Sequence, residues 1–199
     1  MILMRFIPFN AKENIRYLIN KHELNIVVVS ERKTKRGDFR VYSNGLKKIT
    51  LNKDPNKFRF LITLLHEISH QLVYQTFGNN VRPHGIEWKN IFKEISKAFL
   101  FDSIFPLSIL DAFKMYLKNP KSSTDLDMGL SISLSEFDTL SDYFYIDKLE
   151  MGQLFLHKKK DIYKKISKKR KRYVCEKVSD GKLYLFQPNT LVLDYNEKR

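Results

Sequence analysis

Cysteine is nearly absent from this chain: Cys175 stands alone among 199 residues. An intramolecular disulfide framework is thereby excluded, and so is a zinc site built from several thiolates. The expected compartment is the reducing cytoplasm. Long apolar runs are missing too. The start, Met1-Ile2-Leu3-Met4, is broken by Arg5, Pro8 and Asn10, too early for the apolar stretch of a secretory signal. The most apolar later stretch, residues 98–113, carries Asp102, Pro106 and Asp111, so a soluble protein without a membrane span is expected. No repeat of fixed period is seen. Acidic residues are in the minority: 22 Asp and Glu face 36 Lys and Arg, which leaves a net charge of +14. That excess favours a polyanionic partner, nucleic acid before an anionic membrane surface. What is present suffices for a core. Apolar residues make up 43% and aromatics 13%, which excludes a disordered chain.

The pattern along the chain is α+β. Ile15, Leu18 and Ile19 recur at spacings of three and four, so a helix is expected over residues 11–22, with Asn10 as its cap. The β-branched run 25–30 reads as a buried strand. Residues 39–42 and 48–52 read as two more strands, joined by an Asn44-Gly45 hairpin turn. Asp54-Pro55 has the form of a helix start, and the helix is expected to run from Pro55 to Phe77 and stop at Gly78. Further helices are expected over 86–99 and 107–117. The expected organisation is a front domain at 1–120, a linker at 121–142, and a basic, β-rich unit at 143–199. In that unit the strands read as 143–146, 154–156, 173–178, 183–186 and 191–195, with Asp180-Gly181 as a hairpin turn.

Chemistry concentrates in the long central helix, at His66-Glu67-Ile68-Ser69-His70. Histidines four apart lie one turn above each other on one helical face, so both imidazoles reach a single metal ion. Glu67 follows the first of them, placed to take a proton from water beside the metal rather than to bind the metal. Zinc suits this set, because it accepts three nitrogen or oxygen ligands and keeps a fourth position open. The extended pattern of the metzincins would need Gly at Val73 and His at Thr76, so it is excluded. A third ligand remains to be supplied by Glu87, Glu94 or His84. His84 is the one other histidine within the next 70 residues, and it is flanked by Pro83 and Gly85 ahead of the following helix.

His66-Glu67-x-x-His70, thirteen intervening residues and His84-Gly85-x-x-Trp88-Lys89 together resemble the SprT-like zinc metallopeptidases, which include the Spartan DNA-protein crosslink proteases. The resemblance covers roughly residues 10–100. It implies a zincin-like front domain with one catalytic zinc on His66, His70 and His84, Glu67 as general base, and Trp88 packed under the third ligand. Many members of that family carry a C-terminal zinc ribbon with four cysteines. Here that region keeps only Cys175, so a ribbon-like β unit without structural zinc, held by packing alone, is expected. Cys175 reads as a small core residue rather than a reactive thiol.

The basic charge is densest over residues 158–172, which hold ten Lys and Arg and one acid, Asp161. Lys158, Lys159, Lys160, Lys164, Lys165, Lys168, Lys169, Arg170, Lys171 and Arg172 are therefore the expected phosphate contacts. The expected ligand is DNA, single-stranded or bound without sequence preference. Tyr163 and Tyr173 are candidates for base stacking. A second basic cluster, residues 32–40, is a candidate extension of that surface, and Arg82 and Tyr42 are candidate oxyanion donors. The function expected from all of this is a zinc metalloprotease acting on nucleic-acid-associated proteins. The rival reading is a nucleic-acid-binding module that keeps the zinc site with weak or lost catalysis.

Overall fold

The computed structural model describes residues 2–32, 34–138, 143–157 and 160–195. The chain divides into two units, Met1–Ser123 and Thr124–Arg199. In the first, helix α1 (Lys12–His22) leads to strands β1 (Ile26–Val29), β2 (Gly37–Val41) and β3 (Lys47–Asn52). The sheet order is β1-β3-β2, with β1 parallel and β2 antiparallel to β3, so β1 and β2 are its edge strands. Its turn forms where expected: Gly45 adopts φ 79° and donates its N–H to the Tyr42 carbonyl. Helices α2 (Lys57–Phe77), α3 (Ile86–Lys97) and α4 (Leu107–Lys118) complete the unit, and α2 packs against α3, β2 and β3.

Helix α2 is buried along most of its length because its apolar positions cover a wide stripe. Phe60, Leu61, Leu64, Leu65 and Ile68 are all fully enclosed. Its start lies two residues later than the Asp54-Pro55 signal implies. Asn56 is the cap, and its side-chain oxygen accepts from the Phe58 and Arg59 amides. Asp54 instead accepts from the Asn56 amide, one turn upstream of the helix. Asn10 likewise does not cap α1. It donates to the Ser103 carbonyl at 2.6 Å, tying the chain before α1 to the turn after α3.

The second unit begins earlier than expected, within the span read as a linker. Asp127 accepts from the Leu130 amide and caps a short helix, α5 (Met128–Ser135), preceded by a 3-10 turn at Thr124–Leu126. That helix shows no amphipathic period, because Ser131 is buried beside Leu130 and Leu134 while Met128 is exposed. Strands β4 (Tyr143–Tyr145), β5 (Leu154–His157), β6 (Asp161–Lys169), β7 (Arg172–Lys177), β8 (Leu183–Phe186) and β9 (Leu191–Asp194) then form one sheet. Its order is β4-β9-β5-β6-β7-β8, antiparallel throughout. The expected ribbon is thus a six-stranded sheet. Ile146, Phe155, Tyr163, Tyr173, Cys175, Phe186 and Val192 make its core, so Cys175 takes the packing role read from the sequence. Among the described residues, no helix is long and apolar enough to cross a membrane.

Candidate metal centre

His66 and His70 project from successive turns of α2, and the turn before α3 brings His84 to meet them. The three Nε2 atoms form a nearly equilateral triangle: 3.1 Å between His66 and His70, and 3.0 Å from His84 to each. Those separations are short enough for the three nitrogens to bind one ion at ordinary zinc–nitrogen distances of about 2.0–2.1 Å. Among the described residues these three form the one His, Cys, Asp or Glu group whose ligand atoms all lie within 4.8 Å of one another. His84 is held by a tight turn. It adopts a left-handed φ of 58°, and Gly85 donates its N–H to the Arg82 carbonyl. A Cβ on Gly85 would lie 2.9 Å from that carbonyl, so only glycine fits. Glu87 and Glu94 lie on α3 and are not members of this group.

Trp88 underlies the whole triad rather than the third histidine alone. Its ring lies 4.6 Å from His66, 5.5 Å from His70 and 4.8 Å from His84, centroid to centroid, and it stacks on Phe92 below. This apolar floor and the mutual proximity of the rings keep the imidazoles neutral. Burial first, and neighbouring histidines second, push His66 down to about 2 and His70 to about 4. Burial alone lowers His84. Neutral imidazoles are the metal-binding form, so the donor set is ready at neutral pH.

Glu67 is buried at the side of the triad, against the open edge of the small sheet. Bonds from the Asn52 amide to the Arg36 carbonyl and from the Tyr42 amide to the Leu46 carbonyl fix the register of β2. In that register Gly37, Phe39 and Val41 turn their backbone groups away from β3. The outward Phe39 amide hydrogen-bonds the Glu67 carboxylate. Gly37 leaves the carboxylate its space: a Cβ there would lie 2.6 Å from Oε1. Burial, then the Asp38 charge, raise Glu67 to about 8, opposed by Arg32, Lys35 and the Phe39 bond. Sequence reading missed Gly37 and Phe39. No motif marks them, because register and not spacing puts them beside Glu67.

The SprT-like family matches residues 12–110, a span holding all four of these side chains. This chain belongs to the SprT-like family. A stretch of 30 residues is 60% identical to Protein SprT of Glaesserella parasuis serovar 5 (strain SH0165), covering 15% of this chain and 19% of that protein. The matched stretch is thus under a fifth of the relative's length. No solved structure matches the chain.

The expected basic residues of this SprT-like chain fall into three groups. Lys160 is exposed in the turn before β6, and Lys164, Lys168, Lys169, Arg170, Lys171 and Arg172 are exposed on the hairpin of β6 and β7, whose turn places Arg170 at φ 54°. Lys158 and Lys159 lie outside the described residues. Lys165 is not a surface residue. It is 2% exposed, and its ammonium donates to the Ile146 and Leu149 carbonyls at 3.0 and 2.6 Å, lying 3.8 Å from the Tyr173 ring centre. Tyr163 and Tyr173 are core residues, so neither is free to stack on a base, and Tyr173 donates its hydroxyl to Asp147. The core of this unit is therefore held by a charged group as well as by packing.

The cluster at 32–40 spends its charge internally. Arg32 donates to Asn52 and Thr50, Lys35 and Arg40 pair with Asp38, and Arg36 pairs with Asp54. Lys33 lies outside the described residues. Tyr42 sits exposed in the β2–β3 turn, and Arg82 is exposed in the turn that carries His84. Charge is also distributed differently from what the 158–172 segment suggests. The first unit holds 21 Lys and Arg against 10 Asp and Glu, and the second 15 against 12, so the front unit carries most of the excess.

Proposed function

We propose that the front unit is a zincin-like peptidase, and that the chain hydrolyses peptide bonds in proteins associated with nucleic acid inside the cytoplasm. The observation that carries this reading is the pairing of three converging imidazole nitrogens with one buried carboxylate beside them. Histidine pairs alone would serve a structural ion. A carboxyl raised to about 8 without an ion, beside the three histidines and not among them, is a group suited to moving protons once a bound cation's charge lowers it toward neutral.

One zinc ion on His66, His70 and His84, when bound, supplies a Lewis acid that polarises a carbonyl and acidifies water. The chain's own residues do the rest. Glu67 takes the proton of the attacking water and delivers it to the leaving amine. Phe39 and Gly37 hold its carboxylate in place. The open edge of β2 offers outward backbone groups at Gly37 and Val41, which suit an extended substrate lying alongside. Trp88 excludes water from beneath the ligands.

Exposed cations on the β6–β7 hairpin and the strongly basic front unit support nucleic acid as the neighbour of the substrate. Phosphate contact by such groups is insensitive to sequence and strongly salt-dependent. The rival, a nucleic-acid-binding module with an idle zinc site, is disfavoured by the intact Glu67 and its dedicated amide partner. Incubation of the zinc-loaded chain with a DNA-binding protein, with and without single-stranded DNA, tests the reading. Cleavage stimulated by DNA is expected. Zinc binding without cleavage under either condition would favour the rival.

A further inference from the structure

Strands β1 and β2 lie on opposite sides of β3, so the connection between them, residues 30–36, has to cross one end of that strand. The register says which end. β1 finishes at Val29 opposite Asn52, and β2 begins at Gly37 opposite Leu51, so the crossing passes over the C-terminal end of β3. Its described residues belong to no helix or strand, and their carbonyls depend on partners from elsewhere.

Asn52 supplies those partners. It is the last residue of β3 and is 7% exposed. Its side-chain amide donates to the Arg32 carbonyl at 3.1 Å and to the Lys35 carbonyl at 2.7 Å, and its oxygen accepts from Arg32 Nε at 2.7 Å. Its main-chain N–H adds a bond to the Arg36 carbonyl at 2.8 Å. The bonds fix the orientation of the amide, because turning it over would set its N–H groups against the Arg32 Nε–H.

The clamped segment runs straight into the seat of the glutamate. Gly37 follows Arg36, and the Cβ it lacks would lie 2.6 Å from Glu67 Oε1. Two residues on, the Phe39 amide hydrogen-bonds the same carboxylate. Arg32 and Lys35, whose carbonyls Asn52 holds, are also cations whose charge reaches Glu67. A displacement of the crossing by about 1 Å would press Gly37 on the carboxylate or draw the Phe39 amide away from it.

We propose that Asn52 is a positioning residue for Glu67, holding the β1–β2 crossing so that Gly37 and Phe39 meet the carboxylate. It acts through those two residues, as a support for a reacting group must when that group sits on another element. The inference rests on the peptidase reading, since it ties Asn52 to the step in which Glu67 moves a proton.

Asn52→Leu, close to the original in shape, removes all three side-chain bonds. Asn52→Ser, which keeps one hydroxyl, takes its place should the first fail to fold. Each is compared with Ile109→Val, a core change on α4 outside the sheet. The first measurement is cleavage of a DNA-binding protein at known zinc occupancy. There kcat should fall about tenfold, with KM within about twofold and zinc content unchanged. The second reads no activity. In zinc-free protein, hydrogen exchange of the Phe39 amide should accelerate about tenfold relative to that of Ile49, whose amide bonds the Asn25 carbonyl. Ile109→Val should move neither. Lost stability with unchanged kcat, or equal acceleration at Phe39 and Ile49, would overturn the proposal and leave Asn52 a scaffold residue. So would loss of zinc in parallel with kcat. If the unaltered chain cleaves nothing, the peptidase reading fails, while the exchange ratio still decides whether Asn52 holds the partners of the carboxylate.

Discussion

At the scale of single residues, the site depends on what surrounds the motif as much as on the motif. Gly37 is the clearest case. A methyl group there would meet the Glu67 carboxylate at 2.6 Å, and the flexible glutamate would yield before the backbone does. Gly37→Ala is therefore expected to lower kcat by about tenfold to a hundredfold, with zinc content and Tm nearly unchanged. Kinetics beside metal analysis would check this, and parallel loss of zinc would contradict it. Titration of the metal-free chain gives a second expectation. Unfolded imidazoles take up protons near 6.5, while His66 and His70 in the fold resist to about 2 and about 4, so their contribution is present above 6.5 and lost as pH falls. Glu67 acts oppositely: held protonated to about 8 against 4.5 when unfolded, its contribution is lost as pH rises through that window. Between 4.5 and 6.5 the imidazoles outnumber the carboxyl, and above 6.5 the carboxyl acts alone, so stability should peak near 6.5. Thermal melts of chelator-treated protein across this range would show the peak, and a monotonic trend would contradict it.

At the scale of elements, Lys165 shows why charge pattern alone misleads. It stands in a run of lysines that reads as one solvated strip, yet the alternation of β6 turns it inward with Tyr163 while Lys164 faces out. A buried ammonium satisfied by main-chain carbonyls is costly to remove, because the carbonyls lose their partner. Lys165→Met should destabilise the second unit by about 2–4 kcal/mol. It should also leave the salt dependence of DNA binding unchanged, unlike the paired change Lys169→Glu and Lys171→Glu at the hairpin tip. Denaturant melts and salt titrations separate the two effects. The helices and the first sheet were legible in the sequence because each carries its own period and its own turn, as Asn44-Gly45 shows. Strand β6 was not, since lysines hide its alternation, and α5 was not, since a buried Ser131 and an exposed Met128 erase its period. The cap of α2 moved from Asp54 to Asn56 because three neighbouring polar residues compete and only the backbone geometry chooses among them.

At the scale of the whole molecule, the histidine triad was legible because His66, His70 and His84 are fixed by helix spacing and one tight turn. Glu67's partners were not, since they arrive from a strand thirty residues upstream. The charge also changes meaning with the fold. The densest basic segment belongs to the unit with nearly balanced charge, and the unit bearing the histidine triad is the strongly basic one. Phosphate binding should therefore be shared between the units. Neutralising the hairpin tip should lower the slope of log K against log salt, on single strands, by about 0.7 for each phosphate no longer neutralised, without abolishing binding. Abolition would place the whole footprint on the hairpin. The central claim is that Glu67 moves protons at a site whose ion is held by the three histidines. Cleavage of a DNA-binding protein by the unaltered chain and by Glu67→Gln, compared at equal zinc occupancy, tests it most directly. The expected result is one zinc per chain in both and a rate at least about a hundredfold lower in the variant. Equal rates at equal occupancy would contradict it.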